Sequence, residues 1–271
     1  MLVISNAAAL VAGILLHRLV VAETRDRRLA DRAVWLLALL PPAFVLAMGY
    51  AESLLLVLSI GTFLALRTGR WGWAAVAGLL AGLARPLGVL LLLPAACEAL
   101  RGWRATSPRQ RLLRLSAVAA PVAGLATYLL WSWGAMGDAL EPLRLQQDAS
   151  RRGGFANPIA RLAHAGGDLF SGRDLGSGLH LPWALLFVAL VVVAWRRWPG
   201  SYALFATATV AVAVSSSNLD SLERYGLSAF PLVIALAGLA REPWAERAAL
   251  AIAGAGIAIY ATLAFLGAYV P

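Results

Sequence analysis

The chain has 271 residues, 61% of them hydrophobic and 14% charged, with one cysteine and a net charge of +9 carried entirely by arginine among its basic residues. Together with a mean hydropathy of +0.75, this composition excludes an ordinary soluble domain, and the lone Cys97 excludes an intramolecular disulfide. The positive charge is spread over loops between apolar runs, so it points to orientation in a membrane rather than to nucleic acid, and no nucleic-acid partner is expected.

A helix needs about 20 mostly apolar residues to cross a hydrocarbon core of about 30 Å. The backbone there must satisfy itself, which leaves helices or closed barrels, and these runs lack barrel alternation. The fold class expected is therefore all-α: one polytopic transmembrane bundle over 1–271. Ten candidate spans follow in chain order, near 2–21, 33–49, 51–66, 71–84, 86–100, 115–133, 181–195, 202–214, 225–240 and 248–270. Several are short and must borrow flanking residues such as Tyr50, Trp71 and Trp73, or tilt. Residues 71–100 read as two spans broken at Arg85 and Pro86, because a single helix of that length would reach about 45 Å and would carry a proline at its middle.

The first run lacks a basic segment ahead of it and a small-residue cleavage site, so it reads as a span rather than a signal peptide. Placing 22–32 in the cytoplasm puts 67–70, 101–114, 196–200 and 241–247 there too. With Arg18, these loops hold 16 of the 23 arginines, as the positive-inside rule requires. Arg85, Arg224 and a long polar loop over 134–180 then face outward. Within that loop Asn157 reads as a helix cap and Pro158 as the first helical residue. Ile159, Leu162, Ala163, Leu169 and Phe170 follow near one face, with Arg161 and His164 off it, as in a helix lying on the membrane surface. The bland alternative is a linker over the bundle.

The chemistry-bearing candidates lie at the same outer end. Glu52 begins a span in MGYAESLLLV, where it can take a proton from a sugar hydroxyl or hold a cation. Arg85 ends an apolar span beside Pro86, at a depth where charge costs about 2.5–3.5 kcal/mol and calls for a partner. A phosphate or carboxylate suits its planar fork; a snorkelling position or a pair with Glu52 is the alternative. Arg224 and Tyr225 open the ninth span in SLERYGLSAFPLV, where a local salt bridge to Asp220 or Glu223 competes with a second phosphate contact. His17, His164 and His180 sit on different segments, so no metal site is expected. No phosphate loop, nucleophile elbow or HExxH motif occurs. Gly78 and Gly82 form a small-xxx-small pattern that packs helices.

Four segments taken together carry a resemblance. PPAFVLAMGYAESLLLVLSIG, GLLAGLARPLGVLLLLPAACE, WGAMGDALEPLRLQQ followed by NPIARL, and SLERYGLSAFPLVIALA resemble, in that order, the bacterial branch of the PIG-V-like mannosyltransferase family, of the GT-C superfamily. The resemblance implies a multi-pass plasma-membrane enzyme. It would take a sugar, expected to be mannose, from a polyprenyl-phosphate donor on the extracytoplasmic face and pass it to a glycan, glycolipid or protein acceptor, with membrane lipids as its other partners and no cofactor. It makes Glu52 the tentative catalytic carboxylate of a Tyr-x-Glu-Ser segment that includes Tyr50. Arg85 corresponds to the family's Arg-Pro, and Arg224 with Tyr225 to its Arg-Tyr; these residues and Tyr50 would bind substrate or lipid phosphate. An acidic loop after a first span, usual in such enzymes, has no counterpart ahead of Leu2, so the resemblance implies a chain starting at a later span. A flippase of lipid-linked sugars and a non-catalytic membrane subunit remain the rival readings. The former should carry polar residues through the midplane, and no internal repeat supports it.

Overall fold

The computed structural model describes residues 1–148, 153–171, 180–217, 219 and 221–267, the side chains of 168–171 excepted. The outer-loop arginines Arg151, Arg152 and Arg173, and Asp220, lie outside the described residues. Among those described the chain is all-helical, with one isolated antiparallel bridge between Phe155 and Ser216.

Helix α1 (Leu2–Thr24) is followed by α2 (Arg27–Leu39), whose N-cap Asp26 accepts the Leu29 N–H at 3.0 Å. Pro41 and Pro42 stop α2, since proline lacks the donor a helix interior needs, and a short 3-10 turn leads into α3 (Phe44–Ala47) at a bend of 68°. Helix α4 (Glu52–Arg67) then runs parallel to α1: Ser5 meets Ser53 near the start of both, and Glu23 meets Arg67 near the end of both. Gly69, at φ +71°, makes the turn into α5 (Trp71–Ala84). A 3-10 stretch over Pro86–Leu91 and α6 (Leu92–Leu100) return the chain, so the expected break at Arg85 and Pro86 is present.

The most extensive helix contact joins α5 to α7 (Pro108–Met136). Its basis is the absence of side chains. A Cβ at Gly82 would fall on the Pro121 carbonyl, one at Gly124 on the Leu79 carbonyl, and one at Gly78 would lie 3.1 Å from the Pro121 ring. The expected packing role of Gly78 and Gly82 is thus observed. After α8 (Glu141–Gln146) and α9 (Pro158–Ser171) come α10 (Leu181–Arg197), α11 (Gly200–Val214), α12 (Leu222–Ser228), α13 (Phe230–Leu239) and α14 (Pro243–Phe265). Pro231 sits at the start of α13, which bends by 81° from α12.

Among the described residues three helices, α1, α7 and α14, are long and apolar enough to cross a bilayer, or five spans if each bent pair counts as one. This is fewer than the ten expected. The shortfall has a physical cause: prolines divide two of the expected spans, 33–49 and 225–240, and α5 has only 14 residues, about 21 Å of rise against a core of about 30 Å.

Contacts place the five arginine-rich loops together. Arg67 pairs with Glu23 at 2.5 Å and Glu98 at 3.1 Å, Ser201 donates to Glu98 at 2.5 Å, and Arg32 reaches Glu246 at 2.9 Å. Arg114 donates to the Ala99 carbonyl and lies over the Trp71 ring at 4.9 Å. Glu52 lies at the opposite end, a helix length away. Between the two ends Phe63, Tyr202, Phe205 and Phe230 pack edge to face and tilted, with centroids 4.8–6.3 Å apart, as such rings prefer.

Helix α9 begins where expected, with Asn157 Oδ1 accepting the Ile159 N–H at 3.0 Å. Toward the bundle it turns Ala165, which is buried, and Leu162, which is half-buried, while Ala163 is exposed and Ile159 is 81% exposed. Arg161, off the apolar face, donates to the Ser217 carbonyl at 2.8 Å. A side chain rotates with its anchor, and here the anchor is the backbone of 215–217, which also binds Gly154 and Ala156. Leu169 and Phe170 fall among the undescribed side chains.

The α5–α7 contact generates a stability test. Gly82→Ala should lower the melting temperature of the purified protein in detergent by about 4 °C or more, because overpacking costs about 1–3 kcal/mol. Gly134→Ala, where nothing lies within 4 Å of the new Cβ, should leave it unchanged or slightly raised.

Candidate functional site

Glu52 is the first residue of α4, with a side chain 2% exposed. A carboxylate in the first turn of a helix meets the positive end of the dipole, yet burial of a charge still demands a counter-ion. Two arrive from other parts of the chain. Arg85 caps α5 in an extended conformation, φ −155° and ψ 144°, the geometry that a following proline favours. This throws its side chain off the helix, and the guanidinium pairs with Glu52 Oε1. Arg224 reaches the same oxygen from α12, with Nε at 3.2 Å, while its Nη2 donates to Ser221 Oγ at 2.7 Å.

Each cation also faces a ring. The Arg85 guanidinium lies 5.9 Å from the Tyr225 centroid and that of Arg224 5.5 Å from the Tyr50 centroid, within the range of cation–π attraction. The five residues singled out in the sequence, Tyr50, Glu52, Arg85, Arg224 and Tyr225, therefore form one cluster from three separate segments. Its two arginines against one carboxylate give a net charge of +1 among the described residues. The arginine side chains are 18% and 14% exposed.

The N-terminal part of α1 holds the loop that presents Tyr50 and Glu52. Ser5 Oγ, itself buried, lies 3.1 Å from the Tyr50 carbonyl and 3.3 Å from Ser53 Oγ, and Ser53 Oγ donates to the Leu46 carbonyl at 2.9 Å. Asn6 donates to the Ala47 carbonyl at 3.2 Å. Ser5 and Asn6 carried no sequence signal beyond being polar at the edge of an apolar run.

The local salt bridge considered for Arg224 is not the arrangement found for Glu223. Successive helical residues point about 100° apart, so Arg224 faces Glu52 while Glu223, 1% exposed, faces His180 at 2.6 Å. That buried His180–Glu223 pair, next to Arg224 in the chain, is the functional candidate that sequence reading passed over. His180 looked isolated because its partner lies 43 residues away. The other histidines stand apart: His17 lies 3.2 Å from Asp31, and His164 contacts the Ala160 carbonyl of its own helix.

Chemically, the cluster offers planar guanidinium donors aligned beside aromatic rings, in surroundings of low dielectric where charge-assisted hydrogen bonds are strongest. Comparison of the chain with protein-family models, with curated proteins and with solved structures finds no match.

Breaking a buried pair by removing one partner costs about 3–5 kcal/mol. Arg85→Gln alone should therefore destabilise the protein in detergent, and Glu52→Gln, which leaves two guanidinium groups face to face, at least as much. In the double variant Arg85→Gln with Glu52→Gln, part of the lost melting temperature should return. Additive losses in the double variant would show that the two side chains are not coupled.

Proposed function

We propose that the chain is a membrane glycosyltransferase that moves a sugar, expected to be mannose, from a polyprenyl-phosphate donor to an envelope acceptor at the extracytoplasmic face of the cell membrane. The observation that carries this reading is the convergence of Arg85 and Arg224 on the single carboxylate of Glu52. The surplus positive charge suits a phosphate, and the guanidinium fork matches its oxygens.

Sidedness supports it. The cluster occupies the end of the bundle away from the loops that bear most of the arginines, and those loops belong inside by the positive-inside rule. In this reading the bent and short helices complete about ten crossings in a GT-C-like bundle, so that α4, α5 and α12 meet at the outer boundary. Polyprenyl phosphate reaches such a site sideways through the lipid, which requires no nucleotide-binding loop.

The reaction is displacement at the anomeric carbon. An acceptor hydroxyl oxygen forms the new bond to that carbon, the bond from carbon to phosphate oxygen breaks, and the electron pair leaves with the lipid phosphate. Arg85 and Arg224 stabilise the charge that grows on this leaving group, an effect that preorganised donors produce without reorganisation. The acceptor proton passes to a carboxylate, for which Glu52 is the candidate. Its contacts favour a first role in orienting both arginines, with Tyr50 and Tyr225 fixing their planes.

Transport of the lipid-linked sugar is the weaker reading, because it calls for polar residues through the midplane, whereas Phe63, Tyr202, Phe205 and Phe230 form a buried ring cluster. The test is transfer from polyprenyl-phosphate mannose by the purified chain in liposomes. Arg85→Lys and Arg224→Lys keep the charge but lose the fork, and each should lower kcat by about 100-fold or more. Unaltered turnover in both variants would remove the arginines from the mechanism. Movement of the donor across the bilayer without sugar transfer would replace the enzyme by a flippase.

A further inference from the structure

At the end of the bundle opposite Glu52, the start of α2, the α10–α11 turn and the end of α13 enclose a cavity of about 480 Å³. Four arginines line it: Arg28, Arg32, Arg197 and Arg241. The carboxylates in its wall are already engaged. Glu23 binds Arg67 and accepts from the Tyr202 hydroxyl at 3.2 Å, and Asp26 caps α2. Arg32 is 5% exposed; it donates to the Ala237 carbonyl at 3.0 Å and to Glu246 at 2.9 Å, while its Nε is buried without a hydrogen-bond partner. Arg197 donates to the Gly238 carbonyl at 3.5 Å. Arg28 and Arg241 also line the cavity and form no ion pair among the described residues.

We propose that this cavity binds a phosphate group, and that its natural source is the headgroup of an anionic phospholipid. A concave site of this volume is within the range of small-ligand pockets. Three of its four cations form no ion pair among the described residues, and four arginines against Glu23 and Asp26 leave the wall with a net positive charge that a bound phosphate neutralises. The half-buried Trp198, in the same wall, supplies the amphipathic ring that membrane interfaces favour. Basic pockets between helices on the cytoplasmic side are suited to anionic headgroups, and this end carries the arginine-rich loops. The inference concerns residues outside the Glu52 cluster and holds whether or not the chain transfers sugar.

The experiment uses the purified full chain, delipidated in a neutral detergent, with phosphatidylglycerol, phosphatidylcholine or inorganic phosphate added in turn. Phosphatidylglycerol should raise the melting temperature by about 3 °C or more and remain attached in native mass spectrometry, with phosphatidylcholine doing neither. Because Arg28 and Arg241 are exposed, Arg28→Gln with Arg241→Gln should fold normally and lose about 10-fold or more in affinity for phosphatidylglycerol. Equal effects of the two lipids, or undiminished phosphatidylglycerol binding by the double variant, would overturn the proposal. Stabilisation by inorganic phosphate alone, lost in the same variant, would keep the phosphate site and assign it to a free anion instead of a lipid.

Discussion

A carboxylate that is almost wholly buried cannot stand without cations, and the arrangement of half the bundle follows from supplying them to Glu52. The start of α4, the end of α5 and the start of α12 must meet within a few ångströms. Each of these segments is a helix terminus, and that is where a side chain can leave the helix direction. For Arg85 the departure is imposed by Pro86, whereas Arg224 stands in the first turn of α12. Helices shortened in this way cover less of a bilayer than uninterrupted spans would, and the same prolines that limit their length create the cluster.

The opposite end repeats the principle with a different balance. Arg67 sits between Glu23 and Glu98, with Ser201 and Tyr202 completing the hydrogen bonds, so acids there outnumber the central cation before Arg101 joins at 3.2 Å. At the Glu52 end the cations are in excess. An excess positive charge favours an incoming anion, whereas a nearly neutral network serves to tie α1, α4, α6 and α11 together. Close approach of α5 and α7 through their glycines gives the platform on which Arg85 is held.

Much was legible in the sequence because burial in lipid leaves few choices. Long apolar runs dictate helices, charge asymmetry separates the loop sets, and a charged residue inside an apolar stretch demands a partner. Those arguments alone singled out Glu52, Arg85 and Arg224, and Pro86 marked the break between two helices. Span number was less legible, because hydropathy counts residues without seeing where prolines bend the axis. Periodicity defined an apolar face of α9 but not which of its residues meet the bundle.

The sequence by itself determined the all-helical class, the helix boundaries near proline and arginine, and the existence of unpaired-looking charges in apolar surroundings, because these depend on local composition and backbone chemistry. Only the tertiary structure decided which charges answer one another. That Arg85 and Arg224 share one oxygen of Glu52, that Glu223 turns to His180, and that Ser5 holds the Tyr50 loop are outcomes of helix rotation and packing across 33 to 172 residues of chain. Pairing of that kind is selected by the geometry of close-packed helices, which no stretch of sequence encodes alone.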